Sequence, residues 1–435
     1  MSRRSWGASL VVGALTLSLA ATLPSAQADT NSADRAGKAR TVGYFIQWGI
    51  YGRNFVARDL VANGAAPKLT HLNYAFGFLD ANAKCISIDP WADYQKPFEA
   101  NQAVNGQADV AGQPLFGNLN QFRQLKQKFP KLHINISLGG WTGSKYFSDA
   151  ALTPESRRAT VASCIDMWIK GNFPDAAPGA AAGIFDGFDL DWEWPASEGN
   201  PGNVIRAEDK QNYTLLMQEF RKQLDALGKS THKSYDLTAF LPADPAKIDR
   251  GIEVDKVFRY LTFATTQGYD FHGAWETMTN QQSSLRTPAA DPTTPKFSTQ
   301  VALDAYLSKG APRKQIVMGV PFYSHGWTGV NPANHGLFQE SAGAAPGKWE
   351  AGTEDYKDLK ARLATEHFTI YRDVVAGHAW VFNGTEFWTF DDPTEMVRKG
   401  QYVADHKLGG AMIWSLDADT GNAELITALN RGLNG

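Results

Sequence analysis

Asp186-Gly187-Phe188-Asp189-Leu190-Asp191-Trp192-Glu193-Trp194-Pro195 alternates acidic and apolar side chains with a period of two from Phe188 onward. Successive side chains of a β-strand point to opposite faces, so Asp189, Asp191 and Glu193 share one face, with neighbours about 7 Å apart. Phe188, Leu190 and Trp192 share the other face, which needs an apolar cover. Three acids in a row on a strand commonly mark a solvated edge, or a calcium or magnesium site. The flanking Phe, Leu and two Trp instead describe a buried central strand, where like charges are costly unless they share protons. A carboxylate catalytic site accounts for both faces.

Outward from this strand, short β-branched or aromatic runs alternate with helical periodicity, the pattern of a parallel α/β fold. Strands are expected near 42–47, 71–76, 133–137, 187–193, 236–240, 261–265, 316–320 and 411–415, and eight of them point to a closed barrel. Helix ends are marked by Thr153-Pro154 with Gly171 beyond, and by Ser298 with Lys309-Gly310. Tyr213, Leu216, Met217, Phe220, Leu224 and Leu227 recur at helical spacing, with Gly228 as the expected stop. The stretch 324–390 breaks the rhythm. It carries Gly, Pro and aromatics, a charged helical segment and two strand-like runs, and is too long for one βα loop.

The acidic run is similar to the D-x-x-D-x-D-x-E signature of family 18 glycoside hydrolases, the chitinases, here as Asp186, Asp189, Asp191 and Glu193. The intervening Gly-Phe and trailing Trp-Pro also fit. Tyr269 and Asp270, in the segment from Gln267 to Glu276, resemble the family's M-x-Y-D element, with Gln267 in place of Met. Ser137-Leu138-Gly139-Gly140-Trp141 resembles its S-x-G-G element, and Met318 to Tyr323 its seventh-strand motif. Two residues after Tyr323 the family often has Arg; here stands His325.

The resemblance implies a (β/α)8 TIM barrel at 41–323 and 391–435, with a small α+β insertion at 324–390, between strands 7 and 8. It implies a chitinase that cuts β-1,4 bonds between N-acetylglucosamine units with retention, using the substrate's own acetamido group. Glu193 would be the general acid/base, Asp191 would hold the acetamido N–H, and Asp189 would share a proton with Asp191. Tyr269 would bond the acetamido carbonyl. Asp270, Tyr323 and Trp414, the aromatic floor on the last strand, would contact sugar. Ser137 is placed to bond the buried aspartates. Trp48, Trp141 and Trp275 follow or end strands and are read as groove residues, since flat sugar faces stack on Trp. Asp186 is counted with the substrate-binding candidates, although its opposite strand parity points to support of the strand entry. An endo-β-N-acetylglucosaminidase acting on N-glycans shares the acidic motif. A non-catalytic chitin-binding barrel typically lacks the terminal Glu, which is present here.

The 435 residues carry a formal net charge of -3, which gives no field for nucleic acid. Arg3 and Arg4, an apolar run from Ala8 to Ala21 and Ala26-Gln27-Ala28 read as an export signal over 1–28, followed by a flexible leader at 29–40. A secreted monomer with no membrane span is expected. Cys85 and Cys164 are the only cysteines, and a single bridge and two buried thiols both remain open. No Cys/His cluster has zinc spacing, no phosphate-binding glycine loop occurs, and no His joins the acidic row, so neither metal nor cofactor is expected.

Overall fold

The computed structural model describes residues 39–435; the expected export signal and residues 29–38 of the leader lie outside them. Eight parallel strands follow one another around a closed barrel: β1 (Arg40–Ile46), β2 (His71–Leu79), β3 (His133–Gly139), β4 (Gly187–Asp191), β5 (Asp236–Leu241), β6 (Phe263–Thr266), β7 (Ile316–Pro321) and β8 (Gly410–Trp414). Closure comes from β1, which pairs with β2 on one side and β8 on the other. Each strand expected from sequence is present, with shifted ends. Arg40 opens β1 instead of ending the leader, because it stands in register with Gly410.

Strand parity divides the core into two layers. Inside the barrel Val42, Tyr44, Phe263, Val317 and Met412 pack together. Outside it, Phe188 and Leu190 join the larger cluster beneath the helices. Phe188 meets Phe220 at 5.3 Å between ring centroids, and Trp192 stacks on Phe147 at 5.5 Å, so the apolar face of the acidic strand is fully covered. Leu190 is wholly buried, and truncating it to Ala would cost about 2–5 kcal/mol.

Helix Pro154–Cys164 starts where expected, with the Thr153 hydroxyl accepting the Ser156 N–H at 3.0 Å. Helix Thr299–Ser308 is likewise capped by Ser298. Gly228, expected to stop its helix, lies inside Asp209–Thr231. The chain turns back at left-handed His232, and a Cβ on Gly228 would stand 2.5 Å from the Lys233 carbonyl oxygen. The glycine therefore serves close approach here. Among the described residues, no helix is long and apolar enough to cross a membrane.

Between β7 and β8 the chain builds a second sheet, all antiparallel. Tyr323–Thr328 pairs with Gly343–Ala344, Thr353–Asp355 and Phe387–Phe390; His378–Phe382 and Thr369–Asp373 continue it, and helix Tyr356–Thr365 follows Asp355. Trp327, Trp380, Phe382 and Phe387 give it a core of its own. Arg53 ties it to the barrel, reaching Asp355 at 2.6 Å and Asp417 at 2.8 Å. Cys85 and Cys164, 79 residues apart, form a disulfide.

Candidate active site

Strand β4 delivers Asp189 and Asp191 to the barrel interior, and Glu193 follows two residues beyond its end. The parallel register sets Ser137 of β3 and Thr238 of β5 on either side of Asp189. Both donate to its carboxylate, Ser137 at 2.8 Å and Thr238 at 2.6 Å, and the Tyr44 hydroxyl donates at 2.6 Å. Burial pushes the Asp189 carboxyl above its ordinary range, while these three hydroxyls pull it back. Burial raises Asp191 well above the carboxylate range, and the charges of Glu193 and Asp189 add to it.

Burial likewise pushes Glu193 up to about 8, with the charge of Asp270 adding to it and a hydrogen bond with Asp191 and the charge of Lys247 opposing it. A hydrogen bond between two carboxyl groups requires a proton on one of them, so the pair titrates as a unit. The backbone under this pair is fixed from three sides. Ser144 Oγ accepts the Glu193 N–H at 2.9 Å, the Gly140 N–H donates to the Asp191 carbonyl at 2.8 Å, and Asn203 donates to the Glu193 carbonyl at 3.0 Å. Gly139 has φ +109, and a Cβ there would lie 2.3 Å from the Asp191 carbonyl oxygen. The S-x-G-G glycine thus lets β3 press against the acidic strand.

Above the row opens a cleft of about 1010 Å³, lined by Glu193 together with Trp141, Trp275, Trp414, Tyr323 and Asp270. Trp141 and Trp275 are 49% and 61% exposed, a large apolar area left to solvent. Trp414 rests on Phe76, their rings stacked at 5.7 Å. Tyr269 is buried beside the acids; burial raises its hydroxyl, and the charges of Asp270, Asp191, Glu193 and Asp189 add to that. Asp270 sits in the left-handed region at φ +56 and is contacted by the Tyr323 hydroxyl and, at 2.8 Å, by His325 Nε2. The second sheet contributes Tyr323, His325, Glu350, Thr353 and Asp355 to the cleft.

Two candidates stand apart. Asp186 precedes β4 at the opposite end of the barrel, where it accepts the Ile134 N–H at 2.8 Å and pairs with Lys126 at 2.5 Å. Its assignment to sugar binding is corrected: it anchors the strand entry, as its parity indicated. Trp48 lies one ring outside the cleft wall, 39% exposed and stacked on Phe76 at 6.3 Å. Residues that sequence reading passed over include Tyr44, Thr238, Ser144 and Lys247. For Thr238 the signal was available, since strand alignment puts it in the row of Ser137 and Asp189. Ser144 lies in a loop and left none.

Among the described residues one cluster has the atoms to hold a cation: His71, His133 and Asp236, at the starts of β2, β3 and β5, remote from Glu193. His133 Nδ1 meets Asp236 at 2.6 Å, a hydrogen-bond distance, and Arg40 adds positive charge at His71. The cluster fits a buried carboxylate hydrogen-bonded between strand starts better than a metal site.

A closed parallel barrel with a hydrogen-bonded carboxylate pair at its carboxyl mouth and an aromatic cleft above defines a (β/α)8 protein with an acid centre. The model of Glycosyl hydrolases family 18 matches residues 40–419. Chitinase 63 of Streptomyces plicatus is 36% identical over 90% of this chain and 60% of its own length. Chitinase A1 of Niallia circulans is 34% identical over 93% of this chain, again 60% of its own length. The chain thus spans about 60% of the length of these curated relatives. The catalytic domain of psychrophilic chitinase B from Arthrobacter TAD20 superposes with a TM-score of 0.87 at 42% identity, over 92% of this chain and 96% of that one. The chain belongs to family 18 of the glycosyl hydrolases.

Proposed function

We propose that this chain is a secreted, monomeric chitinase that hydrolyses β-1,4 bonds between N-acetylglucosamine units with retention. The observation that carries this reading is the Asp191–Glu193 carboxyl pair at the floor of the aromatic cleft, with Glu193 raised to about 8. A carboxyl group raised that far stays protonated at neutral pH and can act as a general acid. Glu193 gives its proton to the glycosidic oxygen as the bond to the anomeric carbon breaks. The carbonyl oxygen of the 2-acetamido group attacks that carbon from the other face, forming an oxazolinium ion. Asp191 accepts the acetamido N–H and balances the developing charge, and the Tyr269 hydroxyl donates to the acetamido oxygen. The Glu193 carboxylate then takes a proton from the water that opens the ring, restoring the acid and the original anomeric configuration.

Segment 1–28 is taken as the export signal, and 324–390 as an insertion domain that walls the cleft on one side. The exposed Trp141 and Trp275 favour a long, flat-faced polysaccharide over the branched glycan of a glycoprotein. The test compares chitin oligomers, their fully deacetylated counterparts and an N-glycosylated protein. Cleavage of the first alone is expected. Equal rates on acetylated and deacetylated chains would refute acetamido participation, and release of N-glycans would favour the endo-β-N-acetylglucosaminidase reading. EDTA should leave the rate unchanged.

A further inference from the structure

Tyr323 and Asp270 face the cleft from different parts of the chain, one opening the second sheet and the other in the loop after β6. Their side chains touch, the Tyr323 hydroxyl donating to Asp270 Oδ1. Behind them lies Gln282, wholly buried and with no surface in the cleft. Its Nε2 donates to the Tyr323 carbonyl at 2.7 Å, and its own carbonyl accepts the N–H of Phe271, the residue after Asp270, at 3.0 Å. Its N–H donates to Thr389 Oγ1 at 3.1 Å. Three segments remote in sequence therefore meet on one residue. The register between Tyr323–Thr328 and Phe387–Phe390 ends at His325 and Thr389. Tyr323 lies beyond it on that edge, where the Gln282 amide takes its carbonyl.

The contact fixes the orientation of the amide, since the reverse one would set its oxygen against the Tyr323 carbonyl oxygen. Gln282 Oε1 is then buried with no partner among the described residues. An apolar side chain of the same length would avoid that cost, so what the amide contributes is its bond to Tyr323. Asp270 needs support from behind, because a left-handed φ of +56 on a residue other than glycine persists only where the surroundings hold it. We propose that Gln282 is a positioning residue for the sugar contact: it sets the separation of the Tyr323 and Asp270 main chains, so that their hydroxyl and carboxyl groups stand paired in the cleft. It touches no sugar itself. The consequence for turnover rests on the chitinase reading; the placement of the two residues does not.

Gln282→Met keeps the length and nearly the bulk of the side chain while removing the donor and the unpaired oxygen. Its Tm should stay within about 4 °C of wild type. Its kcat/KM on a chitin hexamer should fall about tenfold, since displaced contacts near the reacting centre are costly. Tyr323→Phe should lose about the same factor by removing the hydroxyl. The double variant decides between the roles. If Gln282 acts through the Tyr323–Asp270 contact, it should lie within about twofold of the worse single variant. Losses that multiply, to about a hundredfold, overturn the positioning role, and so does wild-type kcat/KM in Gln282→Met. Hydrogen exchange of the free protein is the second measurement. In Gln282→Met it should quicken in segments 268–273 and 321–326 and stay as in wild type elsewhere. Unchanged exchange in both segments, or a rise spread over the whole chain, overturns the proposal. If Gln282→Met does not fold, Gln282→Asn, one methylene too short to reach Tyr323, takes its place in the cycle. Wild-type protein inert on chitin oligomers would instead sink the chitinase reading, leaving exchange to judge Gln282.

Discussion

Replacing Glu193 by Gln removes a proton donor and little else. The backbone at this residue is held by Ser144 and Asn203 through main-chain atoms, so an isosteric side chain leaves those contacts in place. Trp141, Trp275, Trp414 and Tyr323 keep the cleft's stacking surfaces. With Glu193 raised to about 8, roughly nine-tenths of the protein carries the catalytic proton at pH 7, against roughly 0.3% for an ordinary glutamate. The whole general-acid contribution is therefore in use at neutral pH and is lost on substitution. That contribution is about 10²–10⁴-fold, or about 2.7–5.4 kcal/mol at 1.36 kcal/mol per decade. Initial rates on chitotetraose over pH 5–10, with calorimetric binding of the same oligomer, measure both halves. Wild-type kcat/KM should fall as pH rises through about 8, since the protonated form is the active one. In Glu193→Gln that limb should vanish and the rate should lie at least about a hundredfold lower, with Kd changed by less than about threefold. A variant keeping more than about a tenth of the activity, or an unchanged alkaline limb, would refute Glu193 as the acid.

Trp275→Ala should leave folding intact, because the ring is 61% exposed. It should lower kcat/KM for a chitin hexamer by about tenfold and for a trimer by less, since remote binding energy is used at the reacting centre; equal losses would mean Trp275 does not face sugar. Replacing Cys85 and Cys164 by Ser opens a loop of 79 residues, for which loop-closure entropy gives about 4.5 kcal/mol and a Tm lower by about 5 °C; calorimetry of the double variant checks this. His378 is wholly buried, and burial, with the charges of Lys399 and Arg372, holds its imidazole well below the usual range. Its folded value lies below its unfolded value of about 6.5, so the unfolded chain binds the extra proton and stability falls as pH drops below that point, by up to about 1.4 kcal/mol per pH unit. Urea denaturation between pH 4 and 7 should show a shallower slope for His378→Gln; an unchanged slope would exclude this source.

The acidic row was legible because a period of two fixes which side chains share a face. Ser137, whose register partner is Asp189, was reached through the S-x-G-G resemblance rather than by that parity logic. Neither route found Tyr44, which donates to Asp189 from a strand 145 positions away in sequence. No local pattern distinguishes that hydroxyl from the ring of a core tyrosine; only closure of the barrel brings β1 across to β4. Gly228 misled for a related reason. A glycine near a helix end reads as a stop, yet here it makes room for the returning chain at Lys233. Asp186 shows parity prevailing over motif, since membership of the acidic signature did not bring it to the cleft. The eight strands were visible because each is a short apolar run between turn signals, whereas the pairings of the second sheet join segments as distant as Tyr323–Thr328 and Phe387–Phe390.

Arg53 joins three pieces of chain that are remote in sequence. It follows β1, and its guanidinium spans Asp355 of the second sheet and Asp417 beyond β8, under the ring of Trp349 at 4.9 Å. The second sheet is therefore not an independently exchangeable part. A sheet grafted from a relative would arrive with its own side chain at the position of Asp355 and meet an arginine supplied by the host barrel. Unless the two match, the graft leaves Arg53 with Asp417 alone and breaks its tie to the sheet, so recombination between such barrels is expected to succeed best when the loop after β1 travels with the sheet.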